Sequence, residues 1–196
     1  MAASLWLGMA CSTLQTLGSP VNGRLAGDHP TRDHVEQVLE ERAPSLDERD
    51  RQRVADAIFL AQNEHGFEPS LLLGLMAVES GFNPSARSSQ GALGLMQVLP
   101  MSGRLMAQEL GIEWKGARTL FDPEQNVRIG IAYLARMQET FRDLELSLAA
   151  YNVGPGRLQQ ILDSGKQPAG VYSGKVRSRQ AEFASNTGLR TQGATP

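Results

Sequence analysis

Apolar positions recur three and four residues apart along most of the chain, and alternating strand-like runs are almost absent. Residues 33–42 put Val35, Val38 and Leu39 on one stripe. Ser45-Leu46-Asp47-Glu48 has the spacing of a capping box, in which the Ser45 hydroxyl takes an orphan amide and Glu48 reaches back. The helix it opens carries Val54, Ile58, Leu60 and Ala61 and stops at Gly66. Pro69 opens the next, over 70–80, which stops at Gly81. A loop containing Asn83-Pro84 and Ser88-Ser89-Gln90-Gly91 leads to a helix over 101–110 that ends at Gly111. Asp122-Pro123-Glu124-Gln125 is a strong start, with Asp as N-cap and Pro at N1, and its helix runs to Phe141 through Val127, Ile131, Leu134 and Met137. Helices over 143–152 and 156–163 are separated by Gly154-Pro155, and a last one covers 172–183. The pattern predicts a compact, mostly α domain of about seven helices.

The ends break this pattern. From Cys11 to about Pro30 the chain is rich in Gly, Ser, Thr and Pro and reads as a linker, and 184–196 reads as a flexible tail. Ala2 to Ala10 is a short apolar stretch like the core of an export signal, although no Lys or Arg precedes it. Gly8-Met9-Ala10-Cys11 lacks the leucine of a lipidation box, and a start codon assigned too far downstream would explain both departures. No apolar run approaches the roughly 20 residues needed to cross a membrane.

Composition narrows the classes further. The 196 residues are 41% hydrophobic and 20% charged, enough for a real core. A net charge of -2 removes the electrostatic footprint of a nucleic-acid binder. The single cysteine excludes an intrachain disulfide framework and a Cys-based zinc site. His29, Asp33 and His34 could be drawn as a metal cluster, but they lie in or beside the linker, and HExxH is missing. GxSxG and a phosphate-binding glycine loop are missing too.

Glu79 is the most informative residue. Leu72, Leu75 and Met76, at i-7, i-4 and i-3, place its carboxyl on the buried face of the last helical turn. Desolvation there disfavours the charged form, and the helix C-terminus pushes the same way. A carboxylic acid that keeps its proton near neutral pH is what a general acid needs. Periodicity alone favours a structural carboxylate paired with an amide or an arginine.

The motifs around it separate these readings. Glu79-Ser80-Gly81-Phe82-Asn83-Pro84 is followed by Ser88, Gly91-Ala92-Leu93-Gly94-Leu95-Met96-Gln97 and Pro100. Downstream come Asn126, Gly130, Ala132-Tyr133-Leu134 and Ala150-Tyr151-Asn152-Val153-Gly154-Pro155. Gly91 and Gly94 can bring the backbone close to a sugar. Met96 and Gln97 offer a soft apolar contact and a two-way hydrogen bonder, although Met96 taken alone is more often core. Tyr151 ends a helix where its hydroxyl can reach a cleft, and taken alone it too is more often core. Asn126 and Gly130 look structural.

In this order and spacing, from about Gly66 to Phe183, the chain resembles the catalytic domain of the soluble lytic transglycosylases (glycoside hydrolase family 23), whose fold is shared with goose-type lysozyme. The resemblance implies a lysozyme-like helical fold, peptidoglycan glycan strands as substrate, no cofactor and no metal. It implies Glu79 as catalytic acid, with Ser88, Gly94, Met96, Gln97, Tyr151 and Asn152 binding substrate and Tyr151 near the acid. It implies export to the periplasm or cell envelope, with a secretion-system or envelope protein as a candidate partner. The expected organisation is a signal segment and linker over 1–30, N-terminal helices over 31–66, a transglycosylase domain over 67–183 and the tail. One departure is Leu99, where many members carry methionine in the cleft wall. Two alternatives remain: a water-using muramidase, for which Asp122, Glu124 and Asp143 are the available second carboxylates, and a non-catalytic peptidoglycan-binding component of an envelope-spanning machine.

Overall fold

The computed structural model describes residues 30–184. The expected signal segment with Cys11, nearly all of the expected linker, His29 and the tail beyond Ala184 lie outside the described residues. Within them nine helices follow one another: α1 (Arg32–Arg42), α2 (Glu48–His65), α3 (Pro69–Glu79), α4 (Pro100–Glu109), α5 (Ala117–Phe121), α6 (Pro123–Phe141), α7 (Leu144–Val153), α8 (Pro155–Asp163) and α9 (Val171–Phe183). The described residues contain no strand, only isolated bridges of Leu93 with Arg87 and with Val98.

Two local expectations need correction. The expected capping box does not form: Asp47, not Ser45, caps α2, its carboxylate accepting from the Asp50 amide at 2.7 Å. Leu46 is buried just ahead of it, and its carbonyl accepts from Arg51 at 2.7 Å, which fixes the entry of the chain two residues later than Ser45. A carboxylate also suits the positive helix end better than a hydroxyl. Helix α5 was not foreseen, since five residues between Gly116 and Asp122 are too few to show a period.

Helix α3 is the centre of the molecule. Pro69 through Met76 are all buried, including Leu71, Leu72, Leu73 and Leu75 on every side. A helix apolar all round must be surrounded, and each such leucine contributes roughly 1.5–3 kcal/mol on burial. One contiguous apolar cluster runs from Val35 of α1 to Phe183 of α9, so the two N-terminal helices share the core of the rest. α9 lies antiparallel along α3, with Tyr172 opposite Glu79 and Gln180 opposite Ser70. A second small cluster of Met137, Ala150 and Leu158 joins α6, α7 and α8.

Candidate active site

The end of α3 opens onto the loop that carries most of the sequence motifs. Ser80 caps the helix and its hydroxyl donates to the Leu95 carbonyl at 2.7 Å, tying the helix end to the far side of the loop. Gly81 and Phe82 both take positive φ, 59° and 65°, which reverses the chain directly after Glu79. That conformation is costly for a phenylalanine, and its buried ring, edge-on to Phe183 at 5.8 Å, holds it there.

Asn126 of α6 clamps the loop from below. Its amide accepts from the Met96 N–H at 2.8 Å and donates to the carbonyls of Leu93 and Leu120 at 2.8 and 2.9 Å. Gly94 is required twice over: φ is 76°, and a Cβ would stand 2.3 Å from the Asn126 side-chain nitrogen. Met96 is fully buried against Gly130, where a Cβ would meet its sulfur at 2.7 Å. The expectation of Gly94 and Met96 as substrate contacts is therefore corrected. Both face the protein, because the clamp turns that part of the loop inward.

Above the clamp is a cleft of about 340 Å³. Glu79, Ser88, Gln97, Tyr151 and Asn152 all line it, with Leu99 and Val153 as exposed apolar wall. The Ser88 hydroxyl accepts from the amides of Gln90 and Ala92 at 3.2 and 3.0 Å, leaving its proton to donate elsewhere. Gln97 adopts positive φ (49°) and donates from Nε2 to the Gly94 carbonyl at 2.9 Å, so its amide oxygen is what it can offer a ligand. Asn152 is exposed on the rim.

Glu79 is half-buried, and its carboxyl titrates near 6, raised from 4.5 by desolvation. A hydrogen bond donated by the Tyr172 hydroxyl to Glu79 Oε1 opposes that rise. Burial and the facing carboxylate in turn push Tyr172 well above the ordinary phenol range, so it stays a donor. Tyr151 lines the same cleft, where burial and the nearby Glu79 charge raise its hydroxyl above the ordinary phenol range. Its hydroxyl donates to the Met96 carbonyl at 2.7 Å, and its ring lies 5.3 Å from that of Tyr133. Sequence reasoning placed Tyr172 on a helix and gave it no role. The available signal was the spacing Tyr172, Val176, Gln180, Phe183 along one face of α9, which says that the face is covered but not by what.

Among the residues lining the cleft Glu79 is the one carboxylate. Asp122 and Asp143 cap α6 and α7, accepting from the amides of Gln125 and Leu146 at 2.9 and 2.8 Å. Glu124 pairs with Arg53 at 3.1 Å and Arg128 at 3.5 Å. A larger cavity of about 590 Å³ lies beside α9, lined by His65, Phe67, Leu71, Gln138 and Arg177, and none of the candidate site residues reaches it. No group of three or more metal-ligating side chains is placed to hold an ion among the described residues.

A half-buried acid at a helix end, in a cleft with two tyrosines and no second carboxylate, defines a single-acid site on a lysozyme-like helical fold. Residues 56–170 match the model of the Transglycosylase SLT domain, and the chain belongs to that family. Membrane-bound lytic murein transglycosylase C of Actinobacillus pleuropneumoniae serotype 5b (strain L20) is 37% identical over 115 residues, 54% of this chain and 32% of that protein. Membrane-bound lytic murein transglycosylase F of Desulfosudis oleivorans is 36% identical over 106 residues, covering 50% of this chain and 21% of the relative. The chain thus spans about a third or less of the length of these curated relatives. Among solved structures, an inactive glutamate-to-glutamine mutant of lytic transglycosylase Slt from Pseudomonas aeruginosa aligns with a TM-score of 0.53 and 27% identity over 75% of this chain and 24% of its own. The 70 kDa soluble lytic transglycosylase of Escherichia coli, at 21% identity and a TM-score of 0.54 over 78% of this chain and 28% of its own, shares the fold.

Proposed function

We propose that this domain is a peptidoglycan lytic transglycosylase that cleaves the β-1,4 bond between N-acetylmuramic acid and N-acetylglucosamine and closes a 1,6-anhydro ring on the muramoyl product. The observation that carries this is the lone, desolvated Glu79 in its cleft. Oε1 is engaged by Tyr172, so Oε2 carries the proton. Glu79 gives that proton to the glycosidic oxygen as the C1–O bond breaks. The resulting carboxylate, stabilised by the Tyr172 hydroxyl, takes the proton of the muramoyl O6 hydroxyl, and O6 bonds to C1. One proton leaves and one returns, no water is consumed, and no second carboxylate is needed. Tyr172 acts on Glu79, Tyr151 supports the site through Met96, and Ser88, Gln97 and Asn152 hydrogen-bond the sugar.

The names of the relatives support this substrate, and the inactivity of a glutamate-to-glutamine variant of one of them supports a glutamate as the acid. We take the catalytic unit to include α1 and α2, since their apolar faces belong to the same core. An exported, envelope-associated location fits relatives described as membrane-bound, and no described helix is long and apolar enough to cross a membrane. Mass spectrometry of muropeptides released from purified cell wall tests the function. The expected products end in 1,6-anhydromuramic acid, one water lighter than lysozyme products, and reducing ends alone would assign a hydrolase.

A further inference from the structure

Helices α3 and α9 meet backbone against backbone. A Cβ at Gly74 would stand 2.7 Å from the Gln180 amide nitrogen and 2.9 Å from the Val176 carbonyl oxygen. Both neighbours are main chain, so no rotamer change relieves the contact, and a side chain of any size must push the helices apart. Gly74 precedes Glu79 by five residues on α3, and Val176 follows Tyr172 by four on α9. In the antiparallel pair the contact therefore lies little more than one helical turn from the place where the Tyr172 hydroxyl meets the carboxyl. The other ties between these elements are softer. Gln180 Nε2 donates to Glu68 Oε2 at 3.3 Å and to Ser70 Oγ at 3.4 Å, beyond Gly74 from the site.

We propose that Gly74 is a positioning residue for the Glu79 chemistry: its missing side chain lets α9 close on α3, and that closure delivers the Tyr172 hydroxyl to the Glu79 carboxyl. The proposal rests on Glu79 being the acid of the reaction. A hydroxyl–carboxylate bond weakens over a few tenths of an ångström, the scale of the displacement that a Cβ at Gly74 forces. The titratable groups facing Glu79 are Tyr172 from α9 and Tyr151 from α7, and burial and the Glu79 charge keep both neutral. Losing the Tyr172 bond therefore removes the one opposing influence on a carboxyl already raised by desolvation.

The experiment is a carbon-13 NMR titration of the Glu79 carboxyl in the full chain, with turnover and KM measured on the same samples. Gly74→Ala and Tyr172→Phe should each move the midpoint upward from about 6 by the same amount, and the double variant should move it no further. Turnover should fall by a common factor in all three, with KM unchanged. A Gly74→Ala protein that melts earlier but titrates as wild type overturns the proposal and leaves Gly74 a packing residue. If Gly74→Ala does not fold, Gln180→Ala replaces it. That variant releases only the distant ties and must leave the midpoint in place, and a shift there would move the positioning to Gln180. A wild type that released no anhydro product would defeat the proposed function, whereas the titration judges the role of Gly74 without any turnover.

Discussion

The cavity beside α9 encloses about 590 Å³, and the cleft over Glu79 only about 340 Å³. The larger one is bounded by side chains that solvent or a partner satisfies. Arg177 is half-exposed and lies 3.7 Å from Glu145, and the His65 ring rests 5.9 Å from Phe67. The smaller one desolvates a carboxyl and hands it a single phenol. Volume records where helices leave a gap, whereas chemistry needs a group held in an unfavourable charge state, and of these two cavities the cleft at the end of α3 is the one that holds such a carboxyl.

The comparison breaks most sharply at Glu79. Glu79→Gln keeps shape and hydrogen bonding but cannot give up a proton, so turnover should drop by ~10²–10⁴-fold or more with folding intact. A variant retaining a tenth of wild-type rate would remove Glu79 from its role. On the proposed mechanism the protonated form starts the reaction, so the wild-type rate should decline as pH rises through about 6, read from a pH–rate profile of kcat/KM.

Tyr172→Phe should come next, costing ~10–100-fold in turnover while the thermal midpoint moves by no more than a few degrees. Tyr151→Phe should reverse that balance. It leaves the buried Met96 carbonyl without its partner, a loss of ~1–3 kcal/mol, and turnover should suffer less than in Tyr172→Phe. Equal kinetic losses in the two variants would mean that Tyr151 also meets the reacting groups directly.

A stability test sharpens the same contrast. The raised Glu79 contributes stability below about pH 4.5, and that contribution is lost as pH rises through about 6. Glu79→Gln should therefore melt like wild type at pH 4 but be more stable at pH 7.5 by ~1–2 kcal/mol, discounted for its partial exposure. Matching melts at both pH values would mean that the carboxyl is not desolvated. The smallest effect belongs to the other cavity, where His65→Ala should change turnover by less than about twofold in the same assay.

Most of this architecture could be read from local patterning, because each helix carries its own start or stop. Asp122 and Gly66 work as caps where the sequence places them. Glu79 was legible because three apolar neighbours on its own helix fix its face. What escaped depends on contacts across long separations. Tyr172 meets Glu79 across 93 residues, and nothing local on α9 names its partner. The motif presents Met96 and Gly94 beside Gln97, which makes them look like cleft residues. Their inward turn is dictated by Asn126, about 30 positions away. Ser45 lost its cap to Asp47 because a buried leucine, rather than the hydroxyl spacing, decides where that helix begins.

The order of α3 and α9 along the chain has a consequence for biosynthesis. α3 leaves the ribosome long before α9, and until α9 arrives one side of a helix that is apolar all round has no cover. A nascent or truncated chain ending before Val171 therefore presents that face to chaperones and proteases, and its Glu79 lacks the Tyr172 phenol. Synthesis of the last described helix is thus the step that both seals the core and completes the surroundings of Glu79, so an incomplete copy is impaired at its site and open to removal at once.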